Sequence, residues 1–162
     1  MMEQKDFIRI ILENEKVIFK ITTFYAYNED DRKDLYQEIV LQLWKAYPNF
    51  RKEAKISTWL YRIALNTAIS QIRKNKKEAP KVPISQIVLQ VSDSTDNDKE
   101  EKIQMLYKQI EQLNQLEKAI ILLYLEDKSH EEIAEVIGLT ITNVGTRLSR
   151  IKQKIKEQII NI

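Results

Sequence analysis

Apolar residues recur at three- and four-residue spacing along most of the chain, a rhythm that predicts helices rather than strands. From Phe7 to Tyr27, the residues Phe7, Ile10, Ile11, Val17, Ile18, Ile21 and Phe24 share one face, so a core-facing first helix is expected there. Asn28 to Asp31 breaks the pattern and supplies acids suited to the start of a second helix. That helix carries Leu35, Ile39, Leu43 and Ala46 as one stripe beside Val40 and Trp44, and Pro48 ends it. Asn49 to Ile56 is a polar connection holding Phe50 and Arg51.

Ser57 to Lys77 has the sharpest division of faces. Leu60, Tyr61, Ala64, Leu65, Ala68, Ile69 and Ile72 fall on one half of a helix, and Arg62, Asn66, Ser70, Arg73 and Lys77 on the other, with Trp59 and Ile63 on the polar side. Ser57 or Thr58 is placed to cap it. Glu78 to Asp98 then holds every proline except Pro48 and ends in a polar, acidic run, which reads as a linker with a short apolar clasp at Val82 to Val91. From Lys99 a new helix runs through Ile103, Leu106, Tyr107 and Ile110. Asn114 and Glu117 resemble a capping pair for a helix from Leu116 to Glu126, whose run Ala119 to Leu125 predicts the centre of a second core.

The stretch Ser129 to Arg150 predicts a helix-turn-helix. Ser129 with Glu132 has the spacing of a capping box, Ile133, Ala134 and Ile137 give a short helix an apolar face, and Gly138 can supply a left-handed turn residue. Thr140 then caps a helix expected to be buried through Ile141, Val144, Leu148, Ile151 and Ile155. Its opposite face presents Thr142, Thr146, Ser149, Arg150 and Gln153, with Arg147 at the flank. Small hydroxyls at the start and arginines further on suit a helix whose first turns enter a major groove while the rest meets phosphates.

Composition narrows the class. Two glycines and three prolines in 162 residues leave few turns, so the fold expected is all-α: two small helical domains joined by an acidic flexible linker, the second containing the helix-turn-helix. The domains are expected at 1–77 and 99–162, with the linker at 78–98. No apolar run is long enough to span a bilayer, and MMEQKDFIR is not a secretory leader, so no membrane insertion and a cytoplasmic location are expected. The absence of cysteine removes disulfides and thiolate metal sites. One histidine, without a second ligand at metal-site spacing or a nucleophile pair, suggests neither an enzyme nor a metal or cofactor site; His130 reads as solvent-facing.

Charge adds a partition that the net value of +2 conceals. Lys and Arg outnumber Asp and Glu by 15 to 10 over residues 1–77, fall to 2 against 6 over 78–101, and stand at 9 against 8 over 102–162. Between Glu53 and Glu78 there is no acid at all. A polar helix face that is only basic and amide, with a tryptophan in it, resembles a nucleic-acid surface more than a solvated face of mixed sign. The alternatives at these residues are a basic last turn that complements the helix dipole, a Trp59 that packs on a neighbouring helix, and a Phe50 that closes over the core.

Taken in order, these motifs resemble the bacterial RNA polymerase sigma factors of the extracytoplasmic-function type over nearly the whole chain. Asp34-Leu-Tyr-Gln-Glu-Ile39 looks like the family's polymerase-binding helix, Phe50-Arg51 with Ser57 to Asn66 like its minus-ten reader, and Ser129 to Arg150 like its minus-thirty-five reader. The resemblance implies that Asp34, Gln37 and Glu38 bind core RNA polymerase. It implies that Phe50 and Asn66 line a pocket for a flipped-out minus-ten base, that Trp59 belongs to the strand-opening region, and that Arg51, Tyr61, Arg62, Ser70 and Arg73 meet nearby promoter DNA. For the minus-thirty-five duplex it implies Thr146, Arg147 and Arg150, to which the helix's own start and outward face add Thr140, Thr142 and Ser149 as candidates. An anti-sigma factor is a further candidate partner, and the nucleoid the place of action. The chain departs from the pattern at Gly145, where many relatives carry Lys or Arg. Two other accounts compete: a stand-alone helix-turn-helix repressor, which leaves the 57–77 helix idle, and a helical adaptor that binds only protein.

Overall fold

The computed structural model describes residues 4–50, 55–74 and 97–160. The chain divides into two compact units, Met1–Pro80 and Lys81–Ile162. All regular structure among the described residues is helical. Residues 78–96 of the expected linker, with its clasp at Val82 to Val91, and Arg51 and Lys77 lie outside the described residues, while Asn97 and Asp98, expected in the linker, already belong to the first helix of the second unit.

The first unit contains α1 (Gln4–Glu13), α2 (Glu15–Tyr25), α3 (Glu29–Ala46), a 3-10 turn (Tyr47–Asn49) and α4 (Ile56–Lys74). The single first helix expected from Phe7 to Tyr27 is two helices meeting at Asn14. Its backbone N–H is shared between the carbonyls of Ile10 and Ile11, both at 3.2 Å, while its side-chain amide donates to Ile10 O at 2.8 Å. Side-chain competition for a backbone acceptor is the usual reason an asparagine interrupts a helix. Asn28 caps α3 by accepting from Asp31 N at 2.7 Å, and three acids occupy the first turn, where the helix dipole favours them.

Ile18 and Ile21 of α2, Leu35, Ile39 and Leu43 of α3, and Leu60, Ala64, Leu65 and Ala68 of α4 form this unit's core. Helices α2, α3 and α4 pack mutually, with α1 against α2. Helix α4 begins at Ile56, so neither Ser57 nor Thr58 is its cap; Lys55 O accepts from Trp59 N at 3.1 Å, and Thr58 is buried in the first turn. The expected period holds, but the helix starts earlier because the first hydrogen-bonded turn already closes on Lys55.

The second unit contains α5 (Asn97–Glu111), α6 (Gln115–Leu125), α7 (His130–Ile137) and α8 (Ile141–Ile160), with α8 packed on the other three. Both expected capping boxes form, Asn114 with Glu117 and Ser129 with Glu132. Gly138 takes φ 82°, a left-handed conformation that glycine enters without a Cβ penalty. Thr140 Oγ1 accepts from Asn143 N at 3.1 Å and thereby caps α8.

Three expectations in this unit need correction. Ile141 is 51% exposed, because the apolar stripe of α8 runs one residue beyond what the neighbouring helices cover. On α7 it is Val136, not Ile137, that joins Ile133 and Ala134 in the core, since so short a helix is set by how it seats on α6 and α8. The core run on α6 stops at Leu123, leaving Tyr124 and Leu125 38% and 43% exposed.

Candidate nucleic-acid interfaces

On α4, Arg62, Asn66, Ser70 and Arg73 are exposed at intervals of four, four and three residues, which places them in one stripe. No described acid lies on this helix, and Arg73 and Lys74 close its last turn. Beside the stripe lies Trp59, half-buried. Its ring is 4.9 Å from Phe50 and 6.2 Å from Tyr47, centroid to centroid. Tyr47 in turn lies 5.4 Å from Phe7, which meets Trp44 edge-on at 5.0 Å. The result is a connected row of five aromatic rings from α1 and α3 to the start of α4, within the 4.5–7 Å range in which such rings attract.

Two expected DNA-facing side chains are not at the surface. Phe50 is 6% and Tyr61 3% exposed, so both belong to the packing of the unit. Phe50 lies beneath Trp59, and Tyr61 shares the inner face of α4 with Leu60, Ala64 and Leu65. Beside the polar stripe of α4, Trp59 keeps part of its ring at the surface while Phe50 and Tyr61 do not.

A cleft of about 540 Å³ separates α3 from α4. It is lined by Glu38 and Gln42 on one side and by Ile63, Asn66, Thr67, Ser70, Gln71 and Lys74 on the other. The Gln42 amide donates to Glu38 Oε1 at 2.9 Å, and Thr67 Oγ1 donates to Ile63 O at 2.7 Å. Gln71, whose residue lines the cleft, has its Oε1 buried with no hydrogen-bond partner among the described residues. Asn66 and Ser70, expected at DNA, therefore share a cavity with Glu38, expected at polymerase.

The three acidic and amide positions of α3 thus divide. Asp34 and Gln37 are exposed, whereas Glu38 is half-buried and turned to the cleft. Gln37 borders an apolar groove of about 490 Å³ made with Phe7, Ile8, Tyr36, Leu41 and Trp44, of which Ile8, Leu41 and Trp44 are 47%, 43% and 44% exposed. Sequence reasoning did not single out this groove. Its trace was present, since Leu41 stands off the Leu35–Ile39–Leu43 stripe, an apolar residue one turn from the polar Gln37 and Glu38.

In the second unit the outward side of α8 is as expected. Thr142, Thr146, Ser149 and Arg150 are exposed, as is the capping residue Thr140. Thr146 Oγ1 donates to Thr142 O at 3.0 Å. Arg147 is half-buried, its Nε donating to Asn143 Oδ1 at 2.9 Å, so the two arginines differ: one is held along its own helix and the other is free to reach out. A second apolar groove, of about 480 Å³, lies between α5, α6 and α8, with Leu106, Ile121, Tyr124 and Ile155 in its wall. Lys152 Nζ sits 4.0 Å from the centre of the Tyr124 ring at its edge. Among the described residues, no group of three or more His, Cys, Asp or Glu is placed to hold a metal, and no helix is long and apolar enough to cross a membrane.

Comparison with known proteins places both units. A family model described as Sigma-70 region 2 matches residues 10–78, and one described as Sigma-70, region 4 matches residues 103–155. The RNA polymerase sigma factor SigV of Bacillus subtilis (strain 168) is 28% identical over 155 residues, covering 94% of this chain and 90% of that protein. The ECF RNA polymerase sigma-E factor of Escherichia coli (strain K12) is 27% identical over 169 residues, covering 97% and 88%. Among solved structures, the co-crystal structure of the sigma factor RpoE with the anti-sigma factor NepR from Bartonella quintana contains a chain matched with a TM-score of 0.74 at 20% identity, over 96% of this chain and 97% of that one. The structure of CnrH in complex with the cytosolic domain of CnrY gives a TM-score of 0.72 at 17% identity, over 98% and 90%. At such identities the structural likeness speaks to the fold alone.

Proposed function

The chain belongs to the sigma-70 family, as a sigma factor of the extracytoplasmic-function type, and on that premise we propose that its two units read two promoter elements by different physical means. The protein is a transcription initiation factor that works with core RNA polymerase at promoters. The observation that carries the division of labour is the single-signed stripe Arg62, Asn66, Ser70 and Arg73 on α4, bordered by a half-buried Trp59 that packs on a buried Phe50.

Such a surface suits an unpaired strand. Opening duplex DNA costs about 1.4 kcal/mol per base-pair step, and stacking one base on an aromatic ring returns about 1–3 kcal/mol. A surface that offsets the cost must therefore hold single strands better than duplex. Trp59 supplies the stacking plane, Arg62 and Arg73 the phosphate contacts, and the cleft with the exposed Asn66 and Ser70 the base-edge bonds. Phe50 and Tyr61 serve this site from below, as the packing that sets the position of Trp59 and of α4. Arg51 is assigned to the same minus-ten surface by the family pattern alone.

Helix α8 suits the minus-thirty-five duplex: Thr140, Thr142 and Thr146 at its first two turns lie where a recognition helix enters a major groove, and Ser149, Arg150 and Arg147 follow along the backbone. Asp34 and Gln37 on α3, with the apolar groove beside them, form the core-polymerase surface; Glu38 borders both sites. The exposed apolar grooves of the two units also suit an anti-sigma factor as a protein partner. The working location proposed is the bacterial cytoplasm, at the nucleoid when active, and residues 78–98 serve as the linker between domains at 1–77 and 99–162.

Run-off transcription with purified core polymerase and a panel of promoter fragments tests the reading. A discrete transcript that depends on this protein is expected. Duplex binding without any polymerase association would favour a repressor instead, and polymerase association without promoter-dependent transcription would favour an adaptor.

A further inference from the structure

His130 is the one histidine of the chain, and nothing in the reading above uses it. It is exposed at the first position of α7, and its ring lies against α8 at Gly145: a Cβ built there would stand 3.6 Å from His130 Nδ1 and 3.8 Å from Cε1. That is ordinary van der Waals contact, so the imidazole rests on the place where a side chain at 145 would begin. Nε2 lies beyond 4 Å, on the part of the ring not turned to the glycine. Gly145 sits one turn before Ser149 and three residues after Thr142, on the flank where the outward face of α8 meets α7. A glycine inside a helix is destabilising relative to alanine, and its backbone conformation here is not one that requires glycine.

We propose that the His130 imidazole stands in for the side chain absent at position 145 and donates Nε2–H to a backbone phosphate oxygen of duplex DNA lying along α8. The inference rests on the reading of α8 as a duplex-binding helix. Three observations join in it. The ring is exposed, it borders the polar face of α8, and of the two arginines on that helix only Arg150 is free to reach outward, since Arg147 is bonded to Asn143. A glycine on one helix and a nitrogen-bearing ring set against it from the next make a single composite contact point.

The test uses the full-length chain and a fluorescein-labelled mixed-sequence duplex of about two helical turns, followed by anisotropy across a salt series. His130→Phe keeps a ring over Gly145 but no donor, and should weaken binding roughly two- to tenfold with an unchanged melting temperature. His130→Gln, which retains an N–H, should lose less. Because His130 and a side chain at 145 would compete for one place, Gly145→Lys should raise affinity more in the His130→Ala background than in the parent. Arg150→Ala serves as the reference. If Arg150→Ala weakens binding while His130→Phe matches the parent, the His130 contact is overturned and the duplex reading of α8 stands; if neither variant changes binding, both are overturned.

Discussion

The ring of Phe50 lies 4.9 Å from that of Trp59, tilted by 40°, with Phe50 buried and Trp59 half-exposed. One aromatic therefore holds another at the surface, and the two should respond differently to removal. Phe50→Ala opens a cavity worth about 3–5 kcal/mol in a unit of this size, so a melting temperature lower by about ten degrees or more is expected, with promoter opening lost in proportion. Trp59→Ala should lower the melting temperature much less while abolishing permanganate reactivity of the opened strand. Equal loss of stability in both variants would show that Trp59 is only core.

Asn66 and Ser70 are exposed in the α3–α4 cleft, outside the core. Asn66→Ala and Ser70→Ala should each leave thermal stability within about 0.5 kcal/mol of the parent. Strand capture should fall by about 1 kcal/mol per lost hydrogen bond, measured as affinity of the polymerase complex for single-stranded minus-ten oligonucleotide. Unchanged affinity in both would remove the cleft from the DNA path.

Glu38 differs from Asp34 and Gln37 in facing the cleft and bonding Gln42. Asp34→Lys and Gln37→Lys should thus weaken co-elution with core polymerase on gel filtration more than Glu38→Gln does. Circular dichroism should stay helical in all three. If Glu38→Gln proves the most damaging, the polymerase surface extends into the cleft.

Arg147 is tied to Asn143, while Arg150 is exposed. Arg150→Ala should lower duplex affinity and reduce the salt slope by about one unit. Arg147→Ala should do less, and Asn143→Ala, which frees Arg147, should steepen the slope. Identical slopes for parent and Arg150→Ala would place the phosphates elsewhere.

Lys118 is a cation buried to 3% exposure in the second core; burial pulls its ammonium below the ordinary 10.5, and the Glu111 carboxylate opposes the change. Between the lowered folded value and 10.5 the unfolded chain holds more proton, so folding stability gains from this group as pH rises through that window. Lys118→Met keeps the apolar stem without the charge. It should be more stable than the parent near neutral pH, with an advantage that shrinks as pH approaches 10.5 in thermal melts. A difference independent of pH would mean that packing, not charge, separates the two proteins.

Local and periodic features were legible in the sequence. The capping pairs Asn114–Glu117 and Ser129–Glu132, the left-handed Gly138, the Thr140 cap and the inner stripe of α4 all depend on residues within one turn of each other, where the chain's own geometry decides the outcome. The one-signed outer face of α4 was legible for the same reason, since helical period alone puts Arg62, Asn66, Ser70 and Arg73 together.

What only the tertiary structure decided is which side of an ambiguous residue meets another element. Nothing local could tell that Phe50 packs against Trp59, that Tyr61 turns inward, that Ile141 stays uncovered, or that Glu38 faces the cleft with Asn66. The same holds for His130 resting on Gly145, residues fifteen apart that meet only because the turn at Gly138 folds α7 against α8. Burial is a property of packed neighbours, and those neighbours lie far away along the chain.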